Sequence, residues 1–313
     1  MEKTSYIFGP VPSRRLGRSL GVDLVPAKTC SFDCIYCQAG HTTCKTIERK
    51  EWVPLDAVLS ELTEKLASEP DYITLSGSGE PTLFSQIAEL IQEIKDLTDI
   101  PVAIITNGSL LWQAEVRNEL HQADLVLPSL DAGSETVFQK INRPHPQITF
   151  DRVLEGLISL RREYQGAYWL EVFMLKGLNT SEEELANIAD CIGRIHPDRI
   201  QLNTVSRPPT EESALAVDRN QLHRIADQFR DLGLSQTVEI ITDNPDPTEA
   251  GEFKGRIEDI LTMLQRRPCT VEDIARGLGM HINEVVKLVE SLTVRGKIRG
   301  ETIRSKVFYQ ICK

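Results

Sequence analysis

Three cysteines fall within eight positions, as Cys30-Ser-Phe-Asp-Cys34-Ile-Tyr-Cys37, a C-x3-C-x2-C spacing. The loop that carries them opens at Pro26, directly after an apolar run at 20–25. Three thiolates on one short loop can each take one iron of a cubane, because soft sulfur donors suit iron-sulfur clusters. No fourth cysteine follows at matching spacing, so one corner of such a cubane would carry no protein ligand. Zinc is the competing chemistry for a cysteine-rich loop, and His41 and Cys44 are the neighbours near enough to complete a tetrahedral site. Cys191, Cys269 and Cys312 are scattered, as buried small apolar residues of a reducing compartment would be.

Other polar groups follow apolar runs. Ser76-Gly77-Ser78-Gly79-Glu80-Pro81 combines small residues, which let backbone approach a ligand closely, with a carboxylate able to accept hydrogen bonds from an ammonium group. Thr106-Asn107-Gly108 and Ser129-Leu130-Asp131 offer short donors and acceptors, and the same residue types serve equally as turns and helix caps. Gln201 and Asn203 flank Leu202, so on a strand they share one face. Glu171, Lys176, Arg143 and His145 are further candidate contacts, although solvated charges are the commoner explanation for such residues. Arg14, Arg15 and Arg18 either meet an anionic substrate or pair with acidic residues of the chain.

The elements that position these groups repeat. Strand-like runs at 20–25, 72–76, 102–106, 124–129, 169–175, 199–204 and 238–242 alternate with amphipathic helical patterns at 54–68, 85–98, 111–121, 149–164, 181–195 and 219–232. Asp151 and Ser181 are candidate helix starts, and the acids after Ser181 suit a helix N-terminus. Such alternation predicts an α/β fold with a parallel sheet. Without a nucleotide fingerprint after the first strand, a full or partial barrel is favoured, with its chemistry at the strands' C-terminal ends. Prolines and a glycine make 244–255 a linker. Beyond it, two short helices around Gly277 to Gly279 and a basic hairpin at 297–311 resemble a winged-helix domain. The expected division is therefore 1–245 and 246–313.

C-x3-C-x-aromatic-C, with Tyr36 as the aromatic, resembles the signature of the radical S-adenosylmethionine (SAM) superfamily. The resemblance covers about residues 5 to 245 and implies a partial (β/α)6-type parallel barrel. It implies a 4Fe-4S cluster on Cys30, Cys34 and Cys37 that cleaves SAM to a 5'-deoxyadenosyl radical, with an electron donor such as flavodoxin or ferredoxin. It also implies Tyr36 near the adenine and Gly77, Ser78, Gly79 and Glu80 at the SAM amino group, where Ser78 replaces a glycine of the family's Gly-Gly-Glu motif. Thr106, Asn107, Ser129 and Asp131 then fall near the ribose or carboxylate, and Gln201 and Asn203 near the adenine. The opening from Phe8 to Asp23 is similar to the subgroup grouped with wyosine-type tRNA-modifying enzymes. Those carry a second cluster on N-terminal cysteines, and none stands between Met1 and Thr29 here.

Composition bounds the rest. With 41% hydrophobic and 26% charged residues the chain can bury a core. No apolar stretch suits a signal peptide or a membrane span, so a cytoplasmic protein is expected. The net charge of −11 is uneven: 254–313 holds 12 basic against 7 acidic residues, or +5, which leaves −16 for 1–253. A nucleic acid would therefore first meet the basic tail. Three function classes stay open: a radical SAM enzyme acting on RNA or protein recruited by the tail, an activase that makes a glycyl radical on a partner protein, and a DNA-binding sensor that uses its cluster for redox or iron.

Overall fold

The structure, a computed structural model, describes residues 5–241, 257–280, 282–303 and 306–312. The expected linker and the 245/246 division lie outside the described residues, as does Arg304 of the basic hairpin.

The chain opens with a hairpin, β1 (Ile7–Ser13) and β2 (Gly17–Val22), antiparallel with an irregularity between Phe8 and Val11. The cysteine loop follows and stands on a two-residue parallel pair, β3 (Thr29–Cys30) with β4 (Cys44–Lys45). Then α1 (Leu55–Lys65), β5 (Tyr72–Leu75), α2 (Ile87–Leu97), β6 (Val102–Thr106), α3 (Ala114–Glu119) and β7 (Leu125–Pro128) alternate. The series continues through α4 (Glu135–Asn142), α5 (Phe150–Glu163), β8 (Ala167–Met174), α6 (Glu182–Ile195), β9 (Arg199–Thr204), α7 (Arg219–Asp231) and β10 (Thr237–Ile240).

The main sheet runs β1-β2-β5-β6-β7-β8-β9-β10, and every pair from β2 to β10 is parallel. Each new strand is laid beside its predecessor, which is the winding of a barrel; a doubly wound sheet reverses its order partway. Among the described residues β1 and β10 do not pair, so the barrel is partial. All seven strands expected from sequence are present.

Strand alternation sorts the two faces. Leu20, Ile73, Ile104, Val172 and Leu202 join one large core with helix residues such as Leu62, Ile91, Leu157, Ile192 and Phe229. Their neighbours Ser19, Thr74, Ile105, Glu171, Phe173 and Asn203 face a cavity. Burying each aliphatic side chain on the outer face contributes about 1.5–3 kcal/mol, which leaves the inner face free to be polar.

Helix caps explain several boundaries. Ser181 accepts from the Glu184 amide and starts α6, with Glu182, Glu183 and Glu184 in its first turn, as expected. For α5 the cap is Thr149, which accepts from the Arg152 amide, and Asp151 sits inside the first turn. Ser134 caps α4, a helix not foreseen in the sequence. β1 was also not foreseen: Gly9, Pro10 and Pro12 break a strand pattern, yet an edge strand tolerates prolines that an inner one cannot.

The C-terminal residues form α8 (Ile257–Arg266), α9 (Val271–Gly277), α10 (Ile282–Val294) and an antiparallel pair, β11 (Ile298–Ile303) with β12 (Lys306–Ile311). Two of these helices and the hairpin are foreseen; α8 is not. Their core, built from residues such as Ile260, Met263, Ile274, Val285 and Ile298, takes in Phe8 and Val11 from β1. The first strand of the sheet thus completes the core of the described residues after 257, and Arg266 and Arg267 of that C-terminal unit reach the lining of the cavity that Ser19 and Thr74 face. No helix of the described residues is long and apolar enough to cross a membrane.

Candidate active site

The cysteine loop hangs between two anchors. On one side the Lys28 amide donates to the Ser78 carbonyl (3.0 Å) and the Glu80 amide to the Thr29 carbonyl (3.2 Å). On the other, the Asp33 amide donates to the Asn142 carbonyl (3.0 Å) and the Ile35 amide to the Ile141 carbonyl (3.0 Å). The last carbonyls of α4, which no helical amide can satisfy, therefore clamp the loop. The Phe32 ring meets Phe138 of α4 edge-on, with centroids 5.4 Å apart.

All three loop cysteines are free, and each sulfur receives a hydrogen bond of 3.5 Å from a different donor. Asn107 Nδ2 donates to Cys30 Sγ, Asn142 Nδ2 to Cys34 Sγ, and Lys28 Nζ to Cys37 Sγ. Donors of this kind favour thiolate over thiol, which a metal ligand requires. Against them, burial and then Glu80 push Cys30 up to about 12, and burial with Asp131 raises Cys34. Loading a metal must therefore release protons. Among the described residues no three His, Cys, Asp or Glu side chains gather as one metal ion would need. A cubane presents three separate irons and accepts thiols set wider apart. His41 pairs with Asp33 at 3.4 Å, and Cys44 is exposed on β4. The three donors, and the place of all three cysteines on the wall of one cavity, fit a three-cysteine cluster.

Cys30, Cys34 and Cys37 line one end of a cavity of about 360 Å³ at the C-terminal ends of the parallel strands. Glu80 lies on its wall, 2% exposed, and organises the strand ends around it. Its Oε1 accepts from Thr106 Oγ1 (2.6 Å), Thr82 Oγ1 (2.6 Å) and the Thr82 amide (3.1 Å), and its Oε2 from the Asn107 amide (2.8 Å). Oε2 thus keeps capacity for another donor. Burial raises the Glu80 pKa, and these four bonds oppose the rise. Asn107 ties this carboxylate to the cluster loop, since its Nδ2 also donates to Ser31 Oγ (2.9 Å).

Tyr36 lies on the cavity wall, stacked on Phe173 with ring centroids 4.0 Å apart and 12° between planes. Its hydroxyl donates to Asp131. Asp131 also accepts from Asn142 Nδ2 (2.7 Å) and the Phe173 amide (3.2 Å), while burial pushes it up to about 6. Asn142 therefore serves a cysteine sulfur and the Tyr36 carboxylate partner at once. Ser129 and Asn203 line the cavity, and Asn203 Nδ2 donates to Glu171 (3.3 Å), the ion-pair partner of Arg15.

Of the candidate residues, Tyr36, Gly77, Gly79, Glu80, Thr106, Asn107, Ser129 and Asn203 come together with the three cysteines around this cavity. Ser78, Asp131 and Gln201 do not reach its wall. Ser78 commits its hydroxyl to Asp23 (2.6 Å), Asp131 acts behind Tyr36, and Gln201 Nε2 donates to Glu239 (3.1 Å). A Cβ at Gly79 would run into the Thr29 carbonyl and Val25, and one at Gly77 into Asp23, so packing alone requires both glycines. Arg14 and Arg15 line the cavity, whereas Arg18 is spent on the carbonyls of Ser68 and Glu69. Lys176 is exposed, and Arg143 pairs with Glu211. His145 anchors the loop through its amide, which donates to the Ser31 carbonyl at 2.8 Å.

Sequence reasoning missed Lys28, Asn142, Arg207, Arg266 and Arg267. For Arg207 a signal existed, because Ser206-Arg207-Pro208 follows the sixth parallel strand at the barrel's chemical end. Arg266 ends α8, with Nε 3.3 Å from Asp23 Oδ2 and its guanidinium 4.7 Å from the Phe8 ring centre. Through Asp23 and Ser78 it steadies the Gly77–Glu80 turn from the C-terminal unit.

A family model described as the radical SAM superfamily matches residues 24–192. The chain is 42% identical over 316 residues to a protein of Brachyspira hyodysenteriae named GTPase Obg, covering 99% of this chain but only 45% of that protein. It is 33% identical over 314 residues to a UPF0026 protein of Methanocaldococcus jannaschii, covering 96% of this chain and 94% of that one. In fold alone it is similar to Streptococcus suis SuiB bound to the precursor peptide SuiA, with a TM-score of 0.54, 15% identity, and coverage of 69% of this chain and 47% of that chain. With more than half of the chain matched by the family model around the cysteine loop, this protein belongs to the radical SAM superfamily.

Proposed function

We propose that this protein binds a 4Fe-4S cluster through Cys30, Cys34 and Cys37, and SAM in the adjoining cavity, to begin radical chemistry on a macromolecule, RNA or protein. The observation that carries the reading is the convergence of three free thiols, each met by its own N–H donor, on a cavity walled by Glu80. When bound, the cluster supplies the electron that breaks a C–S bond of the SAM sulfonium and leaves a 5'-deoxyadenosyl radical.

The chain's own residues do the positioning. Glu80 Oε2, with one protein donor, accepts from the SAM ammonium. Tyr36, fixed by Asp131 and Phe173, lies along the adenine, and Ser129 and Asn203 offer polar contacts to the sugar or base. Ser78, Asp131 and Gln201 act indirectly, through Asp23, Tyr36 and Glu239. A reduced flavodoxin or ferredoxin serves as the electron donor.

The C-terminal unit is read as a winged helix that recruits the substrate. Arg295, Lys297 and Arg299 are exposed, and Arg299 also lines a second cavity of about 610 Å³ against the cluster loop. The test is anaerobic reconstitution with iron and sulfide, reduction, addition of SAM, and chromatography for 5'-deoxyadenosine. Product is expected from the wild type and none from Cys34→Ala; equal product from both would overturn the ligand assignment. Binding of RNA that weakens steeply with salt would mark the tail as a phosphate reader, and salt-indifferent binding would point to protein.

A further inference from the structure

Arg207, just beyond β9, and Arg267, just beyond α8, are near enough for their charges to interact and both line the first cavity with Cys37 and Gln38; Arg267, Cys37 and Gln38 also line the second. The Arg207 side chain is 8% exposed, with Nη1 donating to Gln38 Oε1 (3.3 Å) and Nη2 3.6 Å from Asp273 Oδ2. Its Nε is buried without a hydrogen-bond partner, and so is Nη2 of Arg267. Among the described residues the carboxylate facing both guanidiniums is Asp273, which also accepts from the Thr270 amide as part of a helix cap. Two positive charges thus share one negative charge. Burial, and next the charge of Arg207, hold Arg267 below its ordinary range. A protein leaves buried guanidinium N–H groups unmatched at a cost, unless a ligand supplies the acceptors.

We propose that Arg207 and Arg267 form a site for an oxyanion of the substrate, a phosphate or a carboxylate, gripped between the barrel and the C-terminal unit. This rests on the proposed function only in assigning the anion to the substrate. A guanidinium fork matches either oxyanion, and Arg267 shares the lining of both cavities with Cys37 of the cluster loop. Asp273 offsets the repulsion between the two arginines and is the group an incoming anion must outcompete.

The test is calorimetric titration of the reconstituted, SAM-loaded protein, and of the protein before reconstitution, with inorganic phosphate, succinate and, as a neutral control, glycerol. Saturable binding of phosphate or succinate at one site is expected, and the tighter of the two names the class. Arg267→Gln and Arg207→Gln should each weaken it about tenfold or more, as loss of a charged hydrogen bond does. Asp273→Asn should tighten it. SAM affinity, measured alongside, should hold within about twofold, since one lost contact moves only the ligand that makes it. To separate binding from folding, Arg267→Gln should melt no lower than wild type without anion, because it removes a like charge from Arg207. Failure of both anions to bind wild type would overturn the proposal, and so would SAM affinity falling in step with anion affinity, which would make this a SAM contact. Because no turnover is involved, absence of 5'-deoxyadenosine leaves this test intact.

Discussion

Replacing Glu80 by Gln changes one oxygen for an NH2 at the centre of the site. The carboxylate accepts four hydrogen bonds, three at Oε1 and one at Oε2, and every partner is a donor. Gln cannot satisfy them all. Its amide nitrogen takes the Oε2 position, where it loses one bond and faces the Asn107 amide, donor against donor. That loss costs about 1.5–3 kcal/mol, and release of a buried charge offsets much of it. Because burial raises the pKa of Glu80, the charged form is the strained one, and the offset builds as the pH rises from the ordinary carboxyl range to the raised pKa and is complete above it. The melting temperature at pH 8 should therefore move little. SAM affinity should not be spared, since the ammonium loses a charged acceptor. The same 1.5–3 kcal/mol corresponds to a loss of about 10- to 150-fold. Equilibrium binding of SAM to the reconstituted variant, with circular dichroism melting beside it, reads both quantities. A variant that binds SAM within twofold of wild type would refute the assignment of Glu80, whatever its stability.

Asn142→Leu removes the donor to Cys34 and one of the Asp131 bonds, so the reduction potential of the bound cluster should fall, because reduced cluster sulfur loses an N–H partner. A potentiometric titration followed by EPR reads it, and an unchanged or higher potential would count against that role. Arg266→Met leaves Asp23 buried beside Ser78 without its ion-pair partner, at a cost of about 3–5 kcal/mol in urea denaturation. The Asp23 pKa is already raised by burial, so this penalty should be larger at pH 8 than at pH 5; equal penalties would contradict the pairing. Asp131 should titrate near pH 6 by carboxyl-carbon NMR in the metal-free protein. Its folded pKa lies above its unfolded value, so its contribution to stability is lost as the pH rises through about 6, and a midpoint near 4 would refute its burial.

The barrel was legible because each inner strand is a short apolar run flanked by a 3.6-period pattern, and those two periods survive tertiary context well. Two of the elements that escaped notice, β1 and α4, offer no clear period. β1 is a proline-bearing edge strand whose Phe8 and Val11 find their core across the chain, among residues after 257. α4 is eight residues long, too short for its apolar face to be distinctive. The three cysteines and the Glu80 turn announce themselves by type and spacing. The groups that tune them do not: Lys28, Asn142 and Arg266 act through contacts that no local motif marks, with Cys37, Cys34 and Asp23, 9, 108 and 243 positions away in sequence. Sequence likewise could not separate Ser129, on the cavity wall, from Asp131 two residues on, which works from behind Tyr36.

EPR spectroscopy of the reduced, anaerobically reconstituted protein, recorded before and after SAM, reaches the central claim most directly. An iron corner without a protein ligand should take SAM, so the reduced-cluster signal should change shape on its addition. A protein that holds only zinc, or a cluster signal indifferent to SAM, would contradict the account.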